Sequence, residues 1–232
     1  MASSYLQRRG QVETYFDRTA ADAWARLTSD APVSRIRATV RAGRDRMRAT
    51  LLDYLPQDLG GRRILDAGCG TGALAVEAAR RGAKVVAVDI SPTLVQLARD
   101  RLPRQVGTGS VEFHVGDMFD ASLGEFDHVV AMDSLIHYRA EDVVTVLAGF
   151  GARTRESLVF TFAPSTFALA LMHTVGRVFP RGNRAPSIEP VRQQRLHQLL
   201  ATHPQMRAWR PGRSEVIRAG FYISQAQELV RP

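Results

Sequence analysis

The spacing of apolar residues changes character along the chain. Residues 11–28 place Val12, Tyr15, Phe16, Trp24 and Leu27 at roughly helical intervals, and residues 33–55 continue with Ile36, Val40, Met47, Leu51, Leu52 and Leu55. Two N-terminal helices are predicted, closed by Pro56 and Gly60-Gly61. From Arg63 onward the period shortens. Residues 63–66, 84–89, 111–115 and 126–132 are short runs rich in β-branched and aromatic side chains, and they read as strands. Between them, residues 73–81, 92–101 and 141–153 are each long enough for a helix, with Ser91 and Pro92 as an N-cap and first-turn pair. Strands that alternate with helices predict a parallel sheet covered on both faces.

The repeat continues with a fifth strand over 158–163, ended by Pro164, then a helix over 192–203 and two late strands over 206–213 and 219–230. Pro211-Gly212 marks a turn or bulge near the first of that pair. The expected fold class is therefore α/β, a Rossmann-like, doubly wound, mostly parallel sheet of seven strands whose last strand can run antiparallel. Residues 165–190 break the pattern. They hold an apolar helix candidate carrying Phe167, Leu169, Leu171, Met172 and Val175, followed by a Gly/Pro/Arg-rich loop, so they read as an insertion after the fifth strand. The expected organisation is an N-terminal helical cap or lid over 1–56 and one main domain over 57–232.

Composition narrows the partners and the compartment. Cys69 is the only cysteine, which excludes a disulfide framework and a thiolate zinc cluster and points to a reducing, cytoplasmic setting. The longest apolar runs are cut by Pro164, His173, Gly176 and Arg177, and no hydrophobic stretch follows Arg8 and Arg9, so neither a spanning helix nor a signal peptide is expected. The net charge of +8 is unevenly spread, with +13 on the flanks (residues 1–63 and 150–232) and −5 on residues 64–149. Basic flanks suit an acidic counterpart, either a carboxylate-bearing substrate or an anionic lipid surface touched peripherally. Zinc-finger spacing and the aromatic-glycine ribonucleoprotein pattern are both absent, so nucleic acid is not an expected partner.

The chemistry concentrates in Ile64-Leu-Asp-Ala-Gly-Cys-Gly-Thr-Gly72, where a strand runs through three alternating glycines into a helix. Such a turn brings backbone close to a ligand. The glycines by themselves also satisfy the looser dinucleotide fingerprint, with Asp89 about 20 residues on. Two neighbours separate the readings. Asp66 precedes the glycines, where it would repel a pyrophosphate and attract a cation. Asp117 and Met118, after the third strand, pair an acceptor for an exocyclic amino group with a side chain able to pack on adenine. With Asp89 able to take both ribose hydroxyls, three acids follow three consecutive strand ends, which fits S-adenosylmethionine.

On D-A-G-C-G-T-G, V-D-I-S and G-D-M-F, residues 62–163 resemble the class I S-adenosylmethionine-dependent methyltransferases. The resemblance implies that Asp66 and the Gly68, Cys69 and Gly70 backbone hold the methionine moiety, Asp89 and Ile90 the ribose, and Asp117 with Met118 the adenine, with Met132 nearby. Tyr15-Phe-Asp-Arg-Thr19 with Trp24, residues 36–44, and Asp133-Ser-Leu-Ile-His-Tyr138 further resemble the magnesium-protoporphyrin IX O-methyltransferases of chlorophyll and bacteriochlorophyll synthesis. That resemblance implies methyl transfer to a propionate carboxyl of a magnesium porphyrin, with handover from the magnesium-chelatase large subunit. His137 is the candidate catalytic residue, and Tyr15, Trp24, Tyr138, Arg177 and Arg181 are candidate substrate contacts. In one departure, family members often carry a tyrosine shortly after the tryptophan, where this chain has Thr28. Alternatives left open are an O-methyltransferase of another hydrophobic molecule such as a quinone precursor, a non-catalytic scaffold, and a dehydrogenase.

Overall fold

A computed structural model describes residues 32–165 and 188–232, together with residues 10, 13–15, 25, 27 and 28. Helix α1 (Arg35–Asp53) starts at Ser34, whose side chain accepts from the Arg37 amide, as expected of an N-cap. Then follow β1 (Arg63–Ala67), α2 (Ala73–Arg80), β2 (Lys84–Asp89), α3 (Pro92–Arg101), β3 (Ser110–Val115), β4 (Phe126–Ala131), α4 (Ala140–Gly151), β5 (Thr154–Phe162), α5 (Gln193–Thr202), β6 (Arg210–Ala219) and β7 (Tyr222–Val230). Ser91 caps α3 and Pro92 opens it, as the sequence predicts.

The strands form one seven-stranded sheet in the order β3-β2-β1-β4-β5-β7-β6. The first five are parallel, while β7 enters antiparallel between β5 and β6. The sheet centre is apolar on both faces because successive side chains point to opposite sides. Ile64, Val85, Ala87, Val130 and Val159 pack beneath α1, α2 and α3, whereas Leu65, Val86, Val88, Val129, Leu158 and Phe160 pack beneath α4 and α5.

Two expectations are corrected. The sixth strand lies over 210–219 rather than 206–213, because β6 is a polar edge strand with no apolar run to announce it. Apolar Met206 and Trp209 are instead buried against the α4/α5 layer, in and just after a 3-10 turn. The fifth strand starts four residues earlier than predicted, at Thr154 rather than 158, because its opening residues are polar. Pro211-Gly212 does sit at a register shift between Pro211 and Ser214. Helix α1 packs on the sheet. Its Gly43, Met47, Leu51 and Leu52 form a buried stripe, and Gly43 lets it lie so close to β7 that a Cβ there would be 2.6 Å from Tyr222 Cδ1. The apolar insertion helix expected after β5 falls outside the described residues.

Candidate active site

The parallel strands β1 to β4 end on one edge of the sheet, and their loops hold the residues of interest. After β1 the chain turns through Gly68, Cys69 and Gly70, with the Gly68 and Cys69 amides donating to Val88 O at 2.8 and 3.0 Å. Gly68 has φ +83°, and a Cβ there would stand 2.5 Å from Ser134 Cβ, so both conformation and space require glycine. At Gly72, which caps α2, an added Cβ would meet the Phe113 ring at 2.7 Å. The turn is thus wedged between the β3 layer and the loop after β4.

Asp66, the fourth residue of β1, is 1% exposed, and its Oδ2 has no hydrogen-bond partner. Burial raises its pKa to about 7, helped by the neighbouring charge of Asp89 and opposed by the Ala75 amide in the first turn of α2. Asp89, at the end of β2, accepts from Gly70 N at 2.8 Å through Oδ2 and from Ser91 N at 3.0 Å through Oδ1. Burial raises Asp89 as well, against the pull of the Ser91, Gly70 and Ile90 amides. Each of its oxygens keeps acceptor capacity beyond those bonds. The Cys69 thiol is pushed well above its ordinary value by burial and then by Asp66 and Asp89, so it stays neutral.

An orphaned buried carboxylate beside a second acid is costly unless a positive group arrives. A sulfonium- and ammonium-bearing adenosine derivative fits this donor set. A pyrophosphate would add like charge to it. After β3, Asp117 Oδ1 accepts from Phe119 N at 2.9 Å, and partly buried Met118 packs against the α4 side of the core.

After β4 come Met132, partly buried against the α1 side, and His137, 7% exposed. Tyr138 is buried in the core beneath α4, so its ring serves packing at this end of the sheet. Tyr15 is half-buried, and burial raises its phenol. Trp24, Arg177 and Arg181 fall outside the described residues. Thr28, where a phenol was expected from the family pattern, has its hydroxyl and its carbonyl oxygen held by Arg101, at 3.0 and 3.2 Å.

The long-range contacts of other residues carry no signal in one-dimensional reading. Arg153, just ahead of β5, fixes the loop after β3 by donating to Met118 O and, at 2.7 Å, to Asp120 O. Asp133, with φ +55°, gathers Arg44, Tyr222, Thr161 and Ser224 around its carboxylate. Their partners lie 28 to 91 residues away, so no local spacing reveals them. Among the described residues, no cluster of His, Cys, Asp or Glu could hold a metal ion, and no helix is long and apolar enough to cross a membrane.

Comparison with known proteins gives this arrangement a family. The profile for a methyltransferase domain matches residues 64–156, and that for the magnesium-protoporphyrin IX methyltransferase C-terminus matches residues 131–231. The magnesium-protoporphyrin O-methyltransferase of Rhodobacter capsulatus is 53% identical over 229 residues, 98% of this chain and 99% of that protein. The crystal structure of magnesium protoporphyrin IX methyltransferase from Synechocystis PCC 6803 with bound S-adenosylhomocysteine superposes with a TM-score of 0.79 at 27% identity, covering 95% of this chain and 98% of the other. A ubiquinone biosynthesis O-methyltransferase of Xanthomonas oryzae, by contrast, is 35% identical over only 56% of this chain. The chain belongs to the magnesium-protoporphyrin O-methyltransferase family.

Proposed function

We propose that this chain transfers the methyl group of S-adenosylmethionine to one propionate carboxyl of magnesium protoporphyrin IX, giving the monomethyl ester and S-adenosylhomocysteine. The observation that carries the reading is the full-length likeness to the Rhodobacter enzyme, which spans 98% of this chain at 53% identity, where the quinone-type relative matches over 56%. The buried, unpartnered Asp66 oxygen supports the cofactor half independently.

When bound, S-adenosylmethionine supplies an electrophilic methyl on a sulfonium. The chain's residues hold and align. Asp66 offers its free oxygen to the ligand's positive end, and the Gly68 and Gly70 backbone admits the methionine moiety closely. Asp89 uses its remaining acceptor capacity for the ribose hydroxyls, while Asp117 and Met118 take the adenine edge and face. Cys69, Ile90 and Met132 line the same crevice.

A propionate has a pKa near ~4.3 by analogy with glutamate, so it arrives ionised and needs no strong base. His137 therefore acts by orienting the acceptor carboxylate, or by taking its proton when the acid form enters. Opposite charges cancel as the methyl moves, so excluding water destabilises the separated ions more than the transition state. Alignment of oxygen, carbon and sulfur contributes up to roughly 7–11 kcal/mol. Residues ahead of α1 serve as the closing lid, with Tyr15 and Trp24 facing the macrocycle, while Arg177 and Arg181 pair with the propionate that is not methylated.

Delivery of the insoluble pigment by the magnesium-chelatase large subunit, and a reversible contact with anionic membrane through the basic flanks, complete the proposal. The reading is tested by incubating the protein with methyl-labelled donor and magnesium protoporphyrin. A base-labile labelled pigment is expected. Label on an added quinol but not on the porphyrin would overturn the substrate assignment.

A further inference from the structure

The side chains gathered around Asp133 lie outside the roles assigned so far. Asp133 follows β4 directly after Met132 and holds a left-handed backbone conformation, φ +55°, which aspartate tolerates but does not prefer. Its amide donates to Thr161 Oγ1 on β5 at 2.7 Å. Its carboxylate pairs with Arg44 from α1 and accepts from Tyr222 OH on β7 at 3.0 Å, from Thr161 Oγ1 at 3.3 Å and from Ser224 Oγ at 3.4 Å. The Asp133 and Arg44 side chains are 7% and 17% exposed, so the ion pair is shielded from solvent and salt.

Three elements from distant parts of the chain therefore converge on one carboxylate at the root of the loop that carries Ser134 and His137. The next residue, Ser134, is the one that abuts Gly68 of the glycine turn. Burial, and then the neighbouring Asp133 charge, keep the Tyr222 phenol above its ordinary range, so it remains a donor. A carboxylate held this many ways fixes a backbone conformation that a loose loop would relax.

We propose that Arg44 and Asp133 are positioning residues for methyl transfer: their ion pair sets the loop over residues 132–138 against the glycine turn and so aims His137 at the acceptor. The proposal rests on the reading of His137 as an acceptor-side residue. Asp133→Asn keeps the shape and removes the charge. Its turnover is expected to fall tenfold or more, with the KM for magnesium protoporphyrin and the affinity for S-adenosylhomocysteine each within threefold of the parent. Hydrogen exchange of amides 132–138 is expected to rise at least tenfold, while α2 and α5 are unchanged. In a His137→Ala background the same substitution should lower turnover by less than twofold.

Arg44→Gln carries the same expectations should Asp133→Asn fail to fold. Unchanged loop exchange, unchanged turnover, or an equal loss of turnover with and without His137 overturns the proposal. Wild-type turnover of His137→Ala alone would instead remove the histidine from the reaction. In that case loop exchange together with turnover of the Asp133 variant, and not the comparison of the two backgrounds, decides whether the ion pair positions the loop.

Discussion

Asp66 shows how one buried group can report on both ligand and stability. Its folded-state pKa, about 7, lies above the ordinary 3.8, so ionising it in the empty site costs stability. That stability is fully present below the unfolded value and is lost as pH rises through 7, an effect on the order of 4 kcal/mol. Binding a cation reverses the preference. Titration calorimetry with S-adenosylhomocysteine should show affinity rising from pH 6 to pH 8, with close to one proton released per ligand at pH 6 in excess of the release at pH 8. Asp66→Asn should abolish that extra proton release and weaken binding by tenfold or more; a variant with the parent's pH profile would remove Asp66 from the ligand's positive end. His137 differs in kind, because its proposed role is toward the acceptor. His137→Ala is expected to lower turnover at least tenfold with cofactor affinity nearly unchanged, measured by initial rates and by calorimetry on one preparation.

At the scale of elements, the most consequential contact is that of α1 with the β6–β7 hairpin. A Cβ at Gly220 would lie 2.3 Å from Thr39 Oγ1, and one at Gly43 2.6 Å from the Tyr222 ring, so helix and hairpin touch at two glycines. The helix is thereby tied to the strand that carries Tyr222, and through Arg44 to the loop after β4. Gly43→Leu should cost about 1–3 kcal/mol by overpacking, read as a lower denaturant midpoint at unchanged slope. An unaltered midpoint would mean that α1 leaves the sheet readily and that the whole N-terminal region, not only its first part, acts as the lid. The polar β6 illustrates the opposite case: it is placed by pairing with β7, and only its neighbour's ladder makes it a strand.

Across the whole molecule, charge is the feature that links site to surroundings. The central region, net −5, carries Asp66, Asp89 and Asp117, the acids proposed to hold the cofactor, while the flanks hold +13, a division of charge that suits a cationic cofactor and an anionic substrate. The proposed membrane contact follows from the same flanks. Cosedimentation with vesicles containing anionic lipid is expected at low ionic strength and should be largely lost near 0.5 M salt, where screening falls to a few ångströms. Neutral vesicles should not retain the protein, and failure to sediment with anionic vesicles at low salt would remove the membrane from the proposal.

The amino-acid order by itself determined the α/β alternation, the glycine turn with Asp66, and the strand ends carrying Asp89 and Asp117, because each rests on short-range periodicity or on neighbours within a few residues. Apolar strands of a buried parallel sheet announce themselves in this way, as β1, β2 and β4 do; β6 does not, since an edge strand needs no apolar face. Only the tertiary structure decided that Asp66 is left with an unpartnered oxygen, that α1 belongs to the core, and that Arg44, Thr161, Tyr222 and Ser224 meet at Asp133. These depend on which distant strands pair and on what burial withholds from water. Solvation and long-range pairing are properties of the assembled sheet, and no window of sequence contains them.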